Sequence, residues 1–173
     1  LKYKFHYLDQ IEPPFVSSAL VFGSCIHEAV AAFYQSCLEG DALSPSQVHD
    51  VYRQAWESHS KERPIRFFHN DAAESLTTKA KRMLDVFHES FDPSAQIIGI
   101  EEPFEVDLGK RIPPLVGWID AVELAPDGTV SVIDLKTASK RYSDNTVHSN
   151  VQLTCYSLGA KVLGFNGDTR FRL

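Results

Sequence analysis

The sequence is poor in cysteine. It contains three, Cys25, Cys37 and Cys155, an odd number without C-x-x-C metal spacing or the density of a disulfide framework. All three lie in segments that we predict to be helical. We therefore expect packed thiols in a reducing compartment.

The chain also lacks an apolar run long enough to span a bilayer, and it shows no signal-peptide pattern. Its first residue is Leu1 rather than Met, so we expect the native N-terminus to lie upstream. On these grounds we expect a soluble, cytoplasmic fragment with no membrane partner.

An excess of positive charge is missing as well. The 17 Lys and Arg residues oppose 23 Asp and Glu residues, which gives a net charge of -6. This balance argues against a protein that coats nucleic acid through broad positive charge. It leaves open an enzyme that holds phosphates locally through a metal ion and a few lysines.

Internal repeats, low-complexity segments and the Gly-rich turn of a dinucleotide-binding fold are absent too. The 173 residues are enough to bury a substantial core as one domain, 1–173. Residues 1–93 are predicted to be mainly helical, and residues 94–173 are predicted to carry a sheet. The predicted fold class is α/β, with helices packed around a central mixed sheet.

A predicted β-hairpin is the most informative part of the sequence. Its strands run from about Leu115 to Leu124 and from Val130 to Lys136, in apolar, β-branched sequence. The turn between them, residues 125–129, contains the Pro, Asp and Gly typical of tight connections. We assume that Leu124 pairs with Val130, which sets the register of the whole hairpin.

In this register three charged side chains share one face of the sheet. Asp120 lies opposite Asp134, with the two Cβ atoms about 5 Å apart. Lys136 projects from the same face, while Ile133 and Leu135 point into the core. Charged groups in apolar sequence are costly to bury unless a partner or a metal compensates them. This conflict indicates a functional site.

Two neighbouring carboxylates repel each other unless a cation lies between them. Oxygen ligands favour a hard divalent ion, Mg²⁺ or Mn²⁺. Lys136 beside such an ion could hold a phosphate oxygen and help to orient an attacking water. The alternative is a surface hairpin whose acids and lysine form salt bridges, because Asp-x-Lys tripeptides are common in strands.

A helix predicted over residues 18–38, with Gly40 as its stop signal, carries His27. Gly23 and Ala31 on the same side are small enough to let another backbone or a ligand approach the imidazole. A histidine in this position is commonly structural. The functional alternative is a ligand to the same metal.

Two more helices are predicted in the N-terminal part, and we assign them no chemistry. Ser44 and Gln47 form a capping box for the first, and Asn70 or Asp71 caps the second. The polar connection 61–69 between them is most simply a solvated loop. The core face of the second helix consists of Leu76, Ala80, Met83, Leu84, Phe87 and Phe91.

The sheet part begins with a strand from about residue 97 to 106, in which Pro103 suggests an edge or a bulge. Lys140 and Arg141 follow the hairpin in a polar loop, where they could meet a phosphate chain that leaves the site. A final strand is predicted to begin at Thr169.

The last predicted helix starts at Ser149 or Asn150 and ends near Gly164. Gln152 and Tyr156, four residues apart, share one face of it. Such a pair most often forms a surface hydrogen-bonding face.

Together these motifs resemble one family, the PD-(D/E)XK nucleases, and in particular the RecB-type nuclease domain and the CRISPR-associated exonucleases. Their order, element types and spacing agree over about residues 1–164. The resemblance implies a restriction-endonuclease-like core with an added N-terminal helical part. The matching segments are Gly23-Ser24-Cys25-Ile26-His27, Gly117-Trp118-Ile119-Asp120, Ile133-Asp134-Leu135-Lys136-Thr137 and Gln152-Leu153-Thr154-Cys155-Tyr156.

The resemblance also implies roles for individual residues. His27, Asp120 and Asp134 would hold the metal, together with the main-chain carbonyl of Leu135. Lys136 would be the catalytic lysine.

Further roles follow from the same resemblance. Gln152 and Tyr156 match a helix motif that supports the site and contacts DNA, and Glu101 or Glu102 could supply another acidic group. Several members of this branch carry an iron–sulfur cluster on four cysteines. The three cysteines here do not occupy those positions, so we predict no cluster within residues 1–173.

The function implied is a deoxyribonuclease dependent on Mg²⁺ or Mn²⁺, with exonuclease action expected, in DNA repair, recombination or defence. Its partners would be DNA, single-stranded or with free ends, and a helicase or other subunit. Because His27 softens the ligand set, Mn²⁺ should support activity at least as well as Mg²⁺. The alternatives are a non-catalytic DNA-binding or scaffold subunit with the same fold and a metal hydrolase acting on another phosphoester.

Overall fold

The structure is a computed structural model that describes residues 4, 8–11, 13–68, 71–137, 151–165 and, for the backbone alone, 169–172. Its elements follow one another as β1 (Val16–Ser17), α1 (Ser18–Leu38), α2 (Pro45–Glu62), β2 (Ile65–Arg66), α3 (Ala73–Ser90), β3 (Gln96–Val106), β4 (Leu115–Leu124), β5 (Val130–Ile133), α4 (Val151–Val162) and β6 (Thr169–Arg172).

The first two long helices begin where their capping residues predict. The Ser17 hydroxyl accepts a hydrogen bond from the N–H of Leu20 at 3.2 Å, so α1 starts at the next residue after Ser17. Ser44 and Gln47 form the predicted capping box of α2. Gly40, two residues after the end of α1, has a left-handed conformation with a φ of 80°, as is common where a helix stops.

The start of α3 differs from the prediction. Its N-cap is Ala72, whose N–H donates to the Ser75 hydroxyl at 3.0 Å, and Asn70 lies outside the described residues. The Asp71 carboxylate instead accepts from the Ser18 hydroxyl at 3.3 Å. A tertiary contact with α1 has therefore taken the side chain that local capping rules assign to the helix.

The connection 61–69 is also more structured than predicted. Helix α2 continues to Glu62, and β2 (Ile65–Arg66) pairs in parallel with β1 (Val16–Ser17). Because this short ladder connects the start of α1 to the end of α2, it ties the two helices together.

The main sheet has the strand order β3-β4-β5-β6 and is mixed, as predicted. The first three strands are antiparallel, and β6 runs parallel to β5. Strand β3 is an edge strand, but its bulge lies between Ile97 and Gly99, whereas Pro103 pairs regularly with Trp118. Helices around this sheet confirm the predicted α/β fold class, which is consistent with a restriction-endonuclease-like core.

Two clusters of buried side chains hold these layers together. The first joins α1, α2 and α3 to the sheet, with Phe33 at its centre in T-shaped contacts with Phe87 and Phe91, at 5.5 and 5.1 Å between ring centroids. The predicted core face of α3 is confirmed: Leu76, Ala80 and Leu84 are buried, and Met83, Phe87 and Phe91 pack against them.

The second cluster packs α4 onto the sheet around the ring of Phe104. Two glycines, Gly117 and Gly159, contact this ring. A Cβ added at either would lie 2.6 Å from a carbon atom of the ring. Two glycines therefore let α4 approach the sheet closely. This packing places the first half of α4 over the end of β5.

No helix in the part of the chain that the structure describes is long and apolar enough to cross a membrane. The three cysteines are free, and Cys25 is fully buried in α1. Burial raises the pKa of the Cys25 thiol to about 12.

Candidate active site

The hairpin of β4 and β5 has the predicted register. Leu124 pairs with Val130, and the ladder continues to the pair Ala121 and Ile133. Strand β5 ends there, so it is shorter than the predicted strand, which ran to Lys136. Asp120 and Asp134 are the next residues along each side, at the open end of the ladder.

Asp120 explains why β5 stops. Its Oδ2 accepts a hydrogen bond from the main-chain N–H of Leu135 at 2.7 Å. A side-chain carboxylate thus takes the donor that a backbone carbonyl would bind in a continuing ladder. The segment 134–137 leaves the sheet at this point with its backbone held against β4.

His27 reaches the same place from α1. Its Nδ1 lies 3.3 Å from Oδ1 of Asp120, and its Nε2 lies 3.1 Å from the carbonyl oxygen of Leu135. The hydrogen bond with Asp120 is the largest of the effects that raise the pKa of this imidazole, and the charge of Asp134 adds to it. The structure therefore brings together His27, Asp120 and the Leu135 carbonyl, three groups to which the family resemblance assigns a common role.

Asp134 is buried, with 3% of its surface exposed, and is surrounded by donors. Its Oδ1 accepts from the Tyr156 hydroxyl at 2.8 Å and faces Gln152 Nε2 at 3.5 Å. Its Oδ2 forms an ion pair with the ammonium of Lys136, 2.6 Å away, and has a second lone pair that no other described group contacts. One buried carboxylate oxygen thus retains acceptor capacity.

Gln152 and Tyr156 face the site, although a surface role is more common for such a pair. The Gln152 amide donates to the Tyr156 hydroxyl at 2.8 Å, and the hydroxyl donates onward to Asp134. Burial, followed by the hydrogen bond to Asp134, raises the pKa of Tyr156 above its usual range. The phenol is therefore a neutral donor that orients the carboxylate.

A cavity of about 470 Å³ borders the segment 135–137 at Thr137. We call it the acidic cavity, because it contains His27, Glu28 and Glu101 and no described Lys or Arg. Its remaining lining residues are Ala19, Leu20, Gly23, Ser24 and Thr137. The prediction that small residues leave space beside His27 holds at Gly23, where an added Cβ would lie 3.4 Å from the Thr137 hydroxyl oxygen.

Glu101 enters the acidic cavity from β3. In the register of β3 and β4 it falls opposite Asp120, between the pairs Ile100 with Ala121 and Glu102 with Ile119. Its φ of 48° is a left-handed conformation that a non-glycine residue adopts only at a cost of about 1–3 kcal/mol. Glu102 instead packs beside Gly99, so Glu101 is the acid placed towards the site.

A second cavity, of about 590 Å³, is lined by Leu135 and Lys136 of the same segment. We call it the basic groove. Its polar lining consists of Ser75, Thr78, Lys79 and Arg82 from α3 together with Lys136, and the rest is apolar. No motif in the sequence assigns chemistry to α3. The sequence contains the cations of α3, but which of them face the groove depends on how the helix packs.

Within the described residues, no three His, Cys, Asp or Glu side chains are gathered into a ready metal site. The contacts give the reason: His27 and Asp120 bind each other, while Asp134 binds Tyr156 and faces Lys136. The predicted phosphate contacts Lys140 and Arg141 lie outside the described residues.

Comparison with known proteins agrees with this arrangement. Residues 1–171 match the family model of the PD-(D/E)XK nuclease superfamily, which is almost the whole chain. No curated protein matches the sequence. The match is consistent with the RecB-type and CRISPR-associated branch without selecting it. With this match over most of its length, the chain belongs to the PD-(D/E)XK nuclease superfamily.

Proposed function

We propose that this protein is a metal-dependent deoxyribonuclease that hydrolyses DNA phosphodiester bonds, acting as an exonuclease. Membership of a nuclease superfamily suggests the general class. The observation that supports the finer proposal is the convergence of an imidazole, two carboxylates, a main-chain carbonyl and a lysine at the open end of one hairpin.

The residues present fit Mg²⁺ or Mn²⁺. The donor set of one imidazole, carboxylates and a main-chain carbonyl suits these ions, and His27 Nε2 and the Leu135 carbonyl oxygen lie 3.1 Å apart. The buried Oδ2 of Asp134 still has acceptor capacity. We therefore assign His27, Asp120, Asp134 and the Leu135 carbonyl as the ligands, with Glu101 as an additional acid beside them.

A bound divalent ion would lower the pKa of a water and neutralise negative charge on the phosphate. The chain's own residues supply the rest. Lys136 provides a fixed positive donor next to Asp134, suited to a phosphate oxygen that gains charge during the reaction. Tyr156 and Gln152 hold the Asp134 carboxylate, and the N–H of Leu135 holds Asp120.

The resemblance to the RecB-type branch further supports a role in DNA repair, recombination or defence, beside a helicase or other subunit that delivers the strand. The principal rival is a non-catalytic DNA-binding or scaffold subunit. Lys136 argues against it: a module that only binds has no need of an ammonium held 2.6 Å from a buried carboxylate.

The test is cleavage of single- and double-stranded oligonucleotides, labelled at either end, with Mg²⁺, Mn²⁺ or EDTA. We expect cleavage with either metal, none with EDTA, and progressive shortening from an end. Asp134→Asn and Lys136→Ala should each reduce the rate by about 10²-fold or more. Asparagine keeps the size of Asp134 and an acceptor for Tyr156, so the fold should survive.

The matched control is Lys161→Ala, which removes an exposed lysine from α4. It should cleave like the wild type. Cleavage retained in both site variants, or independent of metal, would count against the nuclease proposal. Binding of DNA and Mn²⁺ without any cleavage would favour the scaffold alternative.

A further inference from the structure

We propose that α3 carries a phosphate-binding track for the DNA strand, formed by Lys79 and Arg82 in the basic groove and continuous with Lys136. The inference rests on the proposed function, because it identifies how the substrate reaches the same site. It concerns different residues, however, so the two can fail separately.

The basic groove is positively charged although the whole chain is acidic. The chain has a net charge of -6, yet the lining of this groove contains the cations Lys79, Arg82 and Lys136 and no Asp or Glu. Lys136 is paired with Asp134 at 2.6 Å, so among the described residues the uncompensated charge of the groove comes from Lys79 and Arg82. A concave surface lined by one sign of charge concentrates the opposite charge near it. The groove is therefore a local site for anions on an otherwise acidic protein.

The two cations of α3 are available for a ligand. Both are exposed, and no ion pair within the described residues includes either of them. Arg53 on α2 shows the contrast, since Asp50 and Glu57 each lie 3.1 Å from its guanidinium. A surface arginine held by two carboxylates is neutralised locally, whereas Arg82 keeps its charge for a partner.

The side chain of Lys79 is held in place by an aromatic ring. Its ammonium lies 5.1 Å from the centre of the Phe22 ring on α1, which is the helix that carries His27. A cation over an aromatic face is attracted to it and loses part of its freedom. The contact holds Lys79 between α1 and α3 and leaves its N–H donors free for an anion.

The groove is long enough for a strand. Ser75 and Val86, both in its lining, are eleven residues apart on α3, or about 16 Å of helix axis. One strand of duplex DNA has a phosphate every ~3.4 Å of axis. More than one phosphate of a strand can therefore lie along this face. The hydroxyls of Ser75 and Thr78 already donate to the main-chain carbonyls of Ala72 and Glu74, so the donors to phosphate are Lys79 and Arg82.

The composition of the groove favours a DNA backbone over an acidic protein. Ammonium and guanidinium groups are common donors to phosphate oxygens. Met83 and Phe87 give the groove an apolar surface that suits sugars and bases. The groove also ends at Lys136, where the proposed cleavage takes place.

The test compares Lys79→Ala/Arg82→Ala with the wild type in two assays. Binding of a fluorescent single-stranded oligonucleotide is measured by anisotropy in EDTA over a range of salt concentrations. Loss of two phosphate contacts should lower the slope of log K against log salt by about 1.4 and weaken binding about 25-fold at 0.1 M salt. The second assay is hydrolysis of bis(p-nitrophenyl) phosphate with Mn²⁺. This diester is too small to occupy the groove, so its rate of hydrolysis should be unchanged.

Two further variants separate charge from structural damage. Arg53→Ala/Lys81→Ala removes two other helix cations, neither of which lines the groove, and should bind DNA like the wild type. Lys79→Arg/Arg82→Lys retains both charges and should keep most of the salt slope. An unchanged affinity and slope in Lys79→Ala/Arg82→Ala would overturn the track, as would an equal loss in the Arg53→Ala/Lys81→Ala control.

The two proposals remain distinguishable. Should the wild type bind DNA through Lys79 and Arg82 but cleave nothing, the track stands and the nuclease proposal fails. Should it cleave DNA with the same affinity in every variant, the nuclease proposal stands and the track fails.

Discussion

The acidic cavity and the basic groove both border the short segment 135–137 and differ in almost every chemical respect: Thr137 lines the first, and Leu135 and Lys136 line the second. His27 and Glu101 line the acidic cavity, whereas Lys79 and Arg82 line the basic groove. The first set suits a cation and the second suits an anion. Phosphodiester hydrolysis with a metal needs both, because the ion and the phosphate must meet at one place.

The backbone of the segment makes this separation possible. The carbonyl of Leu135 points to His27, and Lys136 enters the groove beside Asp134. If β5 continued, these residues would be committed to a ladder with β4. The Asp120 carboxylate, by binding the N–H of Leu135, ends the strand and frees the following residues for both cavities.

The largest predicted effect that distinguishes the acidic cavity from the basic groove is on the cleavage rate. Asp120→Asn removes a charge next to His27 but keeps an oxygen acceptor for the Leu135 N–H. We expect the cleavage rate to fall by about 10²-fold or more, since the substitution removes a proposed metal ligand. DNA affinity in EDTA should not fall, because the basic groove is intact.

The measurement is single-turnover cleavage beside anisotropy in EDTA. Lys79→Ala/Arg82→Ala is the reciprocal variant, with weakened binding and intact small-diester hydrolysis. If Asp120→Asn lost DNA affinity as much as cleavage, the two cavities would not have the separate roles assigned to them.

Metal should stabilise the protein through the acidic cavity alone. At a Mn²⁺ concentration 100 times its Kd, binding adds about 2.7 kcal/mol, which corresponds to roughly 5–10 °C in Tm. We expect this shift in the wild type and in Lys79→Ala/Arg82→Ala, and expect most of it to be lost in His27→Gln. Differential scanning fluorimetry with and without Mn²⁺ checks it. An equal shift in all three proteins would place the ion elsewhere.

Much of the acidic side could be predicted from sequence, because its information is local. The turn at 125–129 and the two-residue period of the strands give the pairing of Leu124 with Val130. Asp120 and Asp134 follow from that pairing by counting. The approach of His27 was implied only by the family resemblance, since the sequence alone does not orient α1 against the sheet.

The basic side could not be predicted, because it depends on tertiary packing. Lys79, Lys81 and Arg82 are close neighbours in sequence, yet Lys81 does not line the groove. Which of them does so is decided by how the apolar face of α3 packs. The left-handed backbone at Glu101 and the contact between Asp71 and Ser18 are likewise consequences of assembled elements.

A pair of alanine substitutions compares how closely α4 packs on the sheet with how closely α1 packs beside the acidic cavity. A methyl group at Gly159 would lie 2.6 Å from the Phe104 ring, so overpacking should cost about 1–3 kcal/mol and outweigh the ~1 kcal/mol that Ala gains over Gly in a helix. Gly159→Ala should therefore destabilise the fold and disturb the contact of Tyr156 with Asp134.

Gly23→Ala is the matched control in α1. Its methyl group would lie 3.4 Å from the Thr137 hydroxyl oxygen, close to ordinary contact, so the gain in helix propensity should dominate. Urea denaturation should move the two variants in opposite directions. A destabilised Gly23→Ala would show that the acidic cavity is packed as closely as the sheet beneath α4.

The smallest predicted effect concerns the donor that holds Asp134 between the two cavities. Tyr156→Phe keeps the ring and its T-shaped contact with Phe104, at 6.2 Å between centroids, but removes the hydrogen bond to Asp134. Because Gln152 and Lys136 remain beside the carboxylate, we expect a loss of about 1 kcal/mol in the free energy of unfolding.

The pH dependence of this loss identifies the phenol as a neutral donor. The pKa of Tyr156 is raised in the folded state above its ordinary value of 10.0, so below about pH 10 the folded and unfolded forms hold the same proton. The difference between wild type and Tyr156→Phe in urea denaturation with EDTA should be constant from about pH 6 to pH 9. Above about pH 10 the unfolded phenol ionises first, so the advantage of the wild type should decrease. A difference that changed steadily below pH 9 would mean that the hydrogen bond depends on another titrating group.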